Sequence, residues 1–221
     1  MSTTSSSPAA PLLPIIEAFE AEIDAIASIY SSCQGHRSVL ASPIQYVPTE
    51  DGCLVALWDA WNRFIRQLLL TSAAGPVQGL SGTAYSPSAP MTEPAALAHL
   101  RANKKGTRIV VIAGEPKWFD VAALPDLASV LGVGNQTVIV SAVTSSTIQL
   151  GRFTVDNPLE EVRVCRNMVA HKCAGTVAEA SRFAAGPFTS MTSHVRSRRF
   201  GVEVFHEWID GCRALALAAA Q

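Results

Sequence analysis

The stretch from residue 54 to residue 69 constrains the fold of this chain most strongly, because its apolar residues recur at the period of an α-helix. Spacings of three and four residues place them on one broad face, which must pack against a core. Thr49 or Asp51 is expected to cap this helix, and Gly75-Pro76 to end it. The tryptophans on this face are typical core anchors. The inward face comprises Leu54, Leu57, Trp58, Trp61, Phe64, Ile65, Leu68 and Leu69.

Helices of the same kind are predicted near both ends of the chain. The first runs from about Leu12 to Gly35 and the last from about Val202 to Ala220, each with an apolar stripe at helical spacing. Residues 1–11 are rich in Ser, Thr, Pro and Ala and are expected to be disordered. The stripes comprise Leu12, Ile16, Phe19, Ile23, Ile26 and Tyr30 in the first helix, and Phe205, Trp208, Ile209, Cys212, Leu215 and Ala216 in the last.

The central region, residues 75–150, is expected to be a partly irregular insertion that opens with a Gly/Ser/Pro-rich loop. A short helix is predicted from Pro94 to about Lys104, and one or two more between Pro116 and Gly132. Residues 108–113 favour a strand but stand alone in the sequence. Residues 135–150 favour a strand by composition. They are nevertheless predicted to be helical, because no other convincing strand is available to pair with them.

Composition indicates a folded chain with a protein partner. The chain has 221 residues, of which 48% are hydrophobic and only 16% charged, against about 25% charged in a typical soluble protein. One domain over residues 12–221 is expected, with some apolar surface covered by a partner, most simply a second copy. The net charge of −1 gives no overall attraction to nucleic acid, so any RNA contact requires a local basic patch.

Cysteine usage and the absence of long apolar runs predict a reduced, cytoplasmic protein. The chain has 5 cysteines with no Cys-x-x-Cys pair. The N-terminus carries no Lys or Arg before its apolar residues, as a secretory signal would. No apolar run approaches the roughly 18 residues of a membrane span. Neither a cofactor nor a metal is expected.

A polar segment near the C-terminus is the candidate for chemistry. Asn157 and Pro158 are predicted to open a helix with Glu160 and Glu161 in its first turn. Leu159, Val162, Cys165 and Val169 form the predicted inward face. The helix ends with the sequence Arg166-Asn167-Met168-Val169-Ala170-His171. It therefore carries a fixed cation and a titratable base.

These two side chains suit metal-free cleavage of RNA, provided that they can reach one phosphate. Histidine titrates near neutral pH and can act as base or acid, while arginine offers a charged fork matched to phosphate. In an uninterrupted helix, five residues advance about 7.5 Å and diverge by about 140°. Arg166 and His171 can therefore cooperate if the helix ends or bends near His171, for which Gly175 is the expected signal. Alternatively, a second copy brings two such pairs together.

The segment from Pro158 to His171 resembles the signature of the HEPN superfamily of ribonucleases, in which Arg and a polar residue precede His late in an all-helical bundle. The early Trp/Phe-rich helix and the amphipathic last helix are also similar to HEPN members that act as toxins in toxin–antitoxin modules or as antiviral defence ribonucleases. The resemblance covers the first two helices and residues 157–221, whereas residues 75–150 match no known pattern.

The resemblance implies an all-α, HEPN-like bundle that forms a homodimer and cleaves RNA without metal, leaving cyclic phosphate ends. It assigns Arg166 and His171 to the catalytic pair and Asn167 to the position that shapes the pocket. Glu160, Glu161 and Arg163 are expected to support them. An antitoxin or a nucleotidyltransferase is a possible partner. The basic residues of a later segment, Arg196, Arg198 and Arg199, are candidates for RNA contact.

Plainer interpretations of the same residues remain open. His171 can be a helix-terminal histidine favoured by the dipole, with Arg166 paired to Glu160 or Glu161. The basic segment around Arg198 can be a solvated loop. A zinc site of Cys165, His171 and Cys173 lacks the usual ligand number and spacing. The chain can then be a catalytically inactive HEPN-like scaffold that binds RNA or nucleotide, or a helical protein-interaction module.

Overall fold

The computed structural model describes residues 8–37, 47–145, 147–150, 153–156, 158–184, 188–199 and 201–221. These residues are predominantly helical, which confirms the predicted class at that level. The helices are α1 (Leu13–Arg37), α2 (Val47–Ala74), α3 (Glu93–Ala102), α4 (Leu124–Leu131), α5 (Gln136–Val143), α6 (Pro158–His171), α7 (Ala174–Ser181), α8 (Met191–Arg196) and α9 (Val204–Ala219). The strands are β1 (Ala10–Pro11), β2 (Val77–Gln78), β3 (Ala84–Tyr85), β4 (Val111–Ile112), β5 (Glu115–Pro116), β6 (Thr147–Leu150), β7 (Phe153–Asp156), β8 (Arg198–Arg199) and β9 (Val202–Glu203).

The described residues divide into two compact units. Unit 1 comprises the residues up to Ala18, Asn62–Thr144 and Leu215–Gln221. Unit 2 comprises Phe19–Trp61 and Ser145–Ala214. The sequence predicts one domain over residues 12–221, and this division falls inside it. The candidate catalytic helix, α6, lies entirely in unit 2.

The predicted inward faces of α1, α2 and α9 are confirmed. Every residue assigned to these faces from its spacing is at most 6% exposed. In unit 2, the rings of Tyr30 and Phe205 stack with their centroids 4.1 Å apart, and Phe19 meets Trp61 edge-on at 6.0 Å. Aromatic pairs of this kind bury large areas in defined orientations. The helical period was therefore a sufficient guide to the core.

The predicted ends of α1 and α2 need correction. Helix α1 continues past Gly35 to Arg37. Helix α2 begins at Val47, so Thr49 and Asp51 lie inside its first turns and do not cap it. Pro48 is the second residue of this helix, and proline is favoured in a first turn because the N–H groups there have no partner within the helix. This preference explains why α2 begins before Thr49. The predicted end of α2 at Gly75 is confirmed.

The N-terminal tail is ordered at its end. Ala10 and Pro11 form β1, which pairs in parallel with β2. The Ala10 N–H donates to the Pro76 carbonyl at 2.9 Å, and the Leu12 N–H donates to the Gln78 carbonyl at 3.0 Å. The expectation of disorder up to residue 11 is therefore wrong for the last two residues, because a nearby strand satisfies their backbone groups.

In the central region, the helix at Pro94 is confirmed as α3, while later elements differ from prediction. Helix α4 begins only at Leu124 and ends at Gly132, whose φ of 61° is the left-handed conformation expected after a helix. Residues 135–150 are divided between helix α5 and strand β6. Strand β6 pairs with β7 over its whole length. The prediction of helix was wrong for this half, because β7 had not been recognised as a partner.

A backbone contact in unit 1 generates a first prediction. A Cβ atom added to Gly134 would overlap the backbone nitrogen and oxygen of Ser86. We expect Gly134→Ala to lower the free energy of unfolding by about 2 kcal/mol, as overpacking of a close contact does. Urea-induced unfolding, followed by circular dichroism, measures this change.

The control is Gly52→Ala in α2, where an added Cβ meets no atom within 4 Å. Alanine should stabilise this helical position by about 0.5–1 kcal/mol. Equal stability of the Gly134→Ala and Gly52→Ala proteins would contradict the packing described for unit 1.

Candidate functional site

Helix α6 begins at Pro158, as predicted, and ends at His171. The predicted cap, Asn157, lies outside the described residues. The Lys172 N–H closes the last turn on the Met168 carbonyl at 2.8 Å, and Lys172 then leaves the helix with a φ of 46°. Gly175, the predicted terminator, instead lies in the first turn of α7. Helix α6 therefore ends at His171, and the residue that follows it in the left-handed conformation is Lys172 and not a glycine.

The inward face of α6 includes a carboxylate that the sequence did not place there. Leu159, Val162 and Cys165 are buried as predicted, whereas Val169 is only half-buried. Glu161 is 0% exposed. The residue spacing is consistent with this burial, because Glu161 lies three residues before Val164 and four before Cys165 and so shares their helix face.

Two side chains from the C-terminal part of unit 2, those of His194 and Arg199, contact one oxygen of Glu161. The Nε2 of His194 lies 2.9 Å from Oε1 of Glu161, and the side chain of His194 is 3% exposed. Arg199 donates from Nη2 to the same oxygen. Burial alone would raise the pKa of Glu161, but these hydrogen bonds and the charge of Arg199 outweigh burial and hold the pKa below its usual range. Glu161 is therefore an ionised anchor.

A second buried carboxylate extends this cluster. The Nη1 of Arg199 lies 3.4 Å from Oε1 of Glu207, whose side chain is 5% exposed. Burial raises the pKa of Glu207, although the charge of Arg199 opposes the shift. Arg199 therefore bridges α6 and α9 within unit 2, because its guanidinium contacts the carboxylates of Glu161 and Glu207.

The predicted RNA-contacting segment is largely structural. Arg196 donates from Nε and Nη2 to both carboxylate oxygens of Glu50, at 3.1 and 2.8 Å. The carboxylate of Glu50 is 1% exposed, so this bidentate ion pair is largely shielded from solvent. Of the three arginines assigned to RNA contact, only Arg198 is exposed. The solvated-loop alternative is also wrong, because these residues belong to α8 and β8.

Glu160 and Arg163 form a bidentate ion pair with each other. Arg163 donates from Nε and Nη2 to the two oxygens of Glu160, both at 2.7 Å. Its Nη2 also lies 3.9 Å from Oε1 of Glu179 in α7. Glu160 is thus engaged three residues along its own helix and does not pair with Arg166.

Arg166 stands apart from these pairs. Its side chain is half-buried, and its Nε atom is buried without a hydrogen-bond partner. All Asp and Glu residues of the chain lie within the described ranges, and Arg166 forms an ion pair with none of them. Asn167, beside it, is half-buried. The alternative in which Arg166 pairs with Glu160 or Glu161 is therefore wrong.

His171 is exposed at the end of α6. Next to it, Nζ of Lys172 lies 3.8 Å from Oδ2 of Asp51 in α2. Burial raises the pKa of Asp51, and the charge of Lys172 partly offsets this effect. Because α6 is continuous between Arg166 and His171, their side chains leave the helix about 140° apart. Within one chain, the side chains of Arg166 and His171 therefore leave α6 on different sides.

The cysteines near the motif differ in environment. Cys165 is fully buried, and burial raises the pKa of its thiol. Cys173 is exposed, and its hydrogen bond to Thr176 lowers the pKa of its thiol.

Among the described residues, no three His, Cys, Asp or Glu side chains are grouped closely enough to hold a metal ion. Nor does any helix in these ranges combine the length and apolarity needed to cross a bilayer.

Comparison of the chain with protein-family models, with curated proteins and with solved structures found no match.

The Glu161 cluster generates a second prediction. Glu161→Gln removes the anion that His194 and Arg199 share, so we expect a loss of about 3 kcal/mol in the free energy of unfolding at pH 7. Because the pKa of Glu161 is lower in the folded than in the unfolded state, its contribution is present above the unfolded pKa and is lost as pH falls through the folded pKa. The difference between wild type and variant should therefore shrink below about pH 4.

The matched control is the neighbouring Glu160→Gln, which removes a pair whose carboxylate is 43% exposed. Exposed pairs contribute about 0.5 kcal/mol. Chemical denaturation at several pH values compares the two variants. A Glu161→Gln loss no greater than that of Glu160→Gln, or one that does not depend on pH, would contradict the assignment of Glu161 as the anchor.

Proposed function

We propose that this protein is a metal-independent endoribonuclease of the HEPN type, acting as a toxin or an antiviral defence effector. The observation that carries the proposal is the state of Arg166. It is a guanidinium on the motif helix that no described carboxylate engages, with a buried Nε lacking a partner. A half-buried cation left unpaired is costly unless an anion binds it. RNA phosphate is an anion of the right shape for its fork.

The proposed reaction is attack of a ribose 2′-oxygen on the adjacent phosphorus. The P–O5′ bond breaks, which leaves a 2′,3′-cyclic phosphate and a 5′-hydroxyl. His171 takes the 2′-hydroxyl proton or supplies the proton to the leaving 5′-oxygen. Arg166 stabilises the charge that develops on the phosphorane oxygens. Asn167 orients the phosphate. These steps need no external oxidant, reductant or cofactor.

The divergence of Arg166 and His171 requires two protomers. A two-fold axis beside the end of α6 brings Arg166 of one copy near His171 of the other, so each site takes one group from each chain. The low charged fraction of the chain, 16%, is consistent with a face covered in a homodimer. An antitoxin or a nucleotidyltransferase then restrains the dimer.

The remaining motif residues support the catalytic pair through the fold. Glu161 anchors α6 by its ion pairs with His194 and Arg199, and Glu160 and Arg163 occupy each other beside Arg166. With these acids engaged, neither of them occupies the guanidinium of Arg166, which stays available to a ligand.

A second candidate is a scaffold that binds RNA or nucleotide without cleaving it. The divergence on α6 favours it, because a single protomer offers an anion-binding guanidinium at Arg166 but no base aimed at the same anion. Both candidates predict anion binding at Arg166, and only the first predicts cleavage that depends on His171.

The test is cleavage of RNA by purified protein in EDTA. We expect His171→Ala and Arg166→Ala each to slow cleavage by at least about 100-fold, because each removes a group that acts in the transition state. His171 is exposed and Arg166 has no internal pair, so melting temperature and dimer mass should stay unchanged. Gel electrophoresis of end-labelled RNA measures the rates.

The matched control is Arg182→Ala, because Arg182 is an exposed arginine of the same unit, 62% accessible. This variant should cleave like wild type. Cleavage that persists in His171→Ala, or that requires a divalent metal, contradicts the nuclease proposal. RNA binding by wild type without any cleavage supports the scaffold instead.

A further inference from the structure

A cluster of cations lies in the last turn of helix α3 and directly after it in unit 1, in the region to which the sequence assigned no role. We call it the basic turn and define it as Arg101, Lys104, Lys105 and Arg108. All of these side chains are exposed. The sequence has no acidic residue between Glu93 and Glu115, so the turn is an uninterrupted basic segment in a chain whose net charge is −1.

Hydrogen bonds hold the backbone of the basic turn in one shape. The carbonyl of Lys104 accepts from the Thr107 N–H at 3.2 Å and from the Thr107 hydroxyl at 2.8 Å. Gly106 sits between them with a φ of 80°, a conformation that favours glycine. At the start of the turn, the side-chain amide of Asn103 donates to the His99 carbonyl at 2.9 Å. A defined backbone reduces the entropy lost when the turn binds a ligand.

The acids nearest the basic turn, Asp126 and Glu115, accept hydrogen bonds from groups other than the cationic heads of the turn. Oδ2 of Asp126 accepts the backbone N–H of Arg108 at 2.7 Å. The carboxylate of Glu115 accepts from Arg66 at 3.0 and 3.3 Å and from the Trp118 indole at 2.8 Å. Arg101 adds only a weaker Coulomb contribution to the lowered pKa of Glu115.

The lysines of the turn lack internal partners. Neither Lys104 nor Lys105 forms an ion pair with any Asp or Glu, all of which lie among the described residues. The same holds for the guanidinium of Arg108. In contrast, Arg196 and Arg199 are bound to buried carboxylates. The local basic patch that a weakly acidic chain needs for RNA is therefore in a different segment from the one that the sequence predicts.

We infer that the basic turn binds the phosphate backbone of RNA, with Lys104 and Lys105 as the principal contacts. The inference rests on the proposed function, since it assigns a binding surface for the same substrate. Lysines on an exposed turn contact phosphates without reading bases, so they hold RNA of any sequence. A membrane surface is the less favoured partner, because α3 buries Ala96 and Leu100 and so offers no broad apolar face to lipid. The exposed apolar residues nearest the turn, Val110 and Ile112, lie beyond it, and the experiment below includes a lipid arm for that reason.

The experiment measures binding without catalysis. The probe is a fluorescent single-stranded 2′-O-methyl RNA, which lacks the attacking hydroxyl, and the full chain is titrated at several salt concentrations. Lys104→Ala/Lys105→Ala should weaken binding about tenfold near 150 mM salt. It should also reduce the slope of log K against log salt by about 1.4, since each single-strand phosphate contact contributes about 0.7.

Two controls isolate the charge of the turn. Lys104→Arg/Lys105→Arg should bind within about twofold of wild type, because arginine also contacts phosphate. Arg182→Ala removes an exposed cation elsewhere and should leave both affinity and salt slope unchanged. Circular dichroism should be the same for all variants, because the lysine side chains make no internal ion pairs.

The outcomes separate this inference from the proposed function. Unchanged RNA affinity in Lys104→Ala/Lys105→Ala overturns the inference, even if the wild type cleaves RNA. Turn-dependent binding to vesicles of phosphatidylserine and phosphatidylcholine, with no binding of the RNA probe, also overturns it. Turn-dependent RNA binding by a protein that does not cleave RNA upholds the inference and rejects the nuclease.

Discussion

The organisation of unit 2 depends on one carboxylate that has no access to solvent. Glu161 lies on the inner side of α6, and an ionised carboxylate there is tolerable only when hydrogen-bond partners from elsewhere in the chain satisfy it. His194 and Arg199 supply them from α8 and β8. Glu50 repeats the arrangement with Arg196. The motif helix and the basic segment after it are therefore joined through the contacts of Glu161 with His194 and Arg199.

This constraint determines which charges of the motif region remain available to a ligand. The acids nearest to Arg166 on its own helix are already paired, Glu160 with Arg163 and Glu161 with the later cations. Arg166 is left with a buried nitrogen that lacks a partner, and His171 with an exposed ring at the helix end. We propose Arg166 as the anion-binding group and His171 as the proton-transfer group of this helix. They lie on different sides of it, which is why the proposal requires two copies of the chain.

The sequence predicted the long helices well, because burial of an apolar stripe is a local, periodic property that residue spacing shows directly. It failed where the deciding partner is distant. Residues 147–150 form strand β6 and not helix, because β7 pairs with them, and no local pattern identifies that partner. The spacing also does not single out Glu161 as buried, because carboxylates are seldom buried without partners. The carboxylates that bind Arg196 and Arg199, 146 and 38 residues away along the chain, are likewise not visible in a local pattern. Spacing alone revealed the candidate pair, Arg166 and His171, but not which of the surrounding charges are neutralised.

The most direct test of a site shared between two chains is subunit mixing. Arg166→Ala and His171→Ala chains are unfolded together and refolded, so that mixed dimers form, and RNA cleavage is measured in EDTA with dimer composition read by native mass spectrometry. If each site takes its arginine from one chain and its histidine from the other, a mixed dimer retains one intact site. The mixture should then recover about one quarter of wild-type activity, since about half of the dimers are mixed. No cleavage above that of the separate variants, with mixed dimers present, would contradict the shared site.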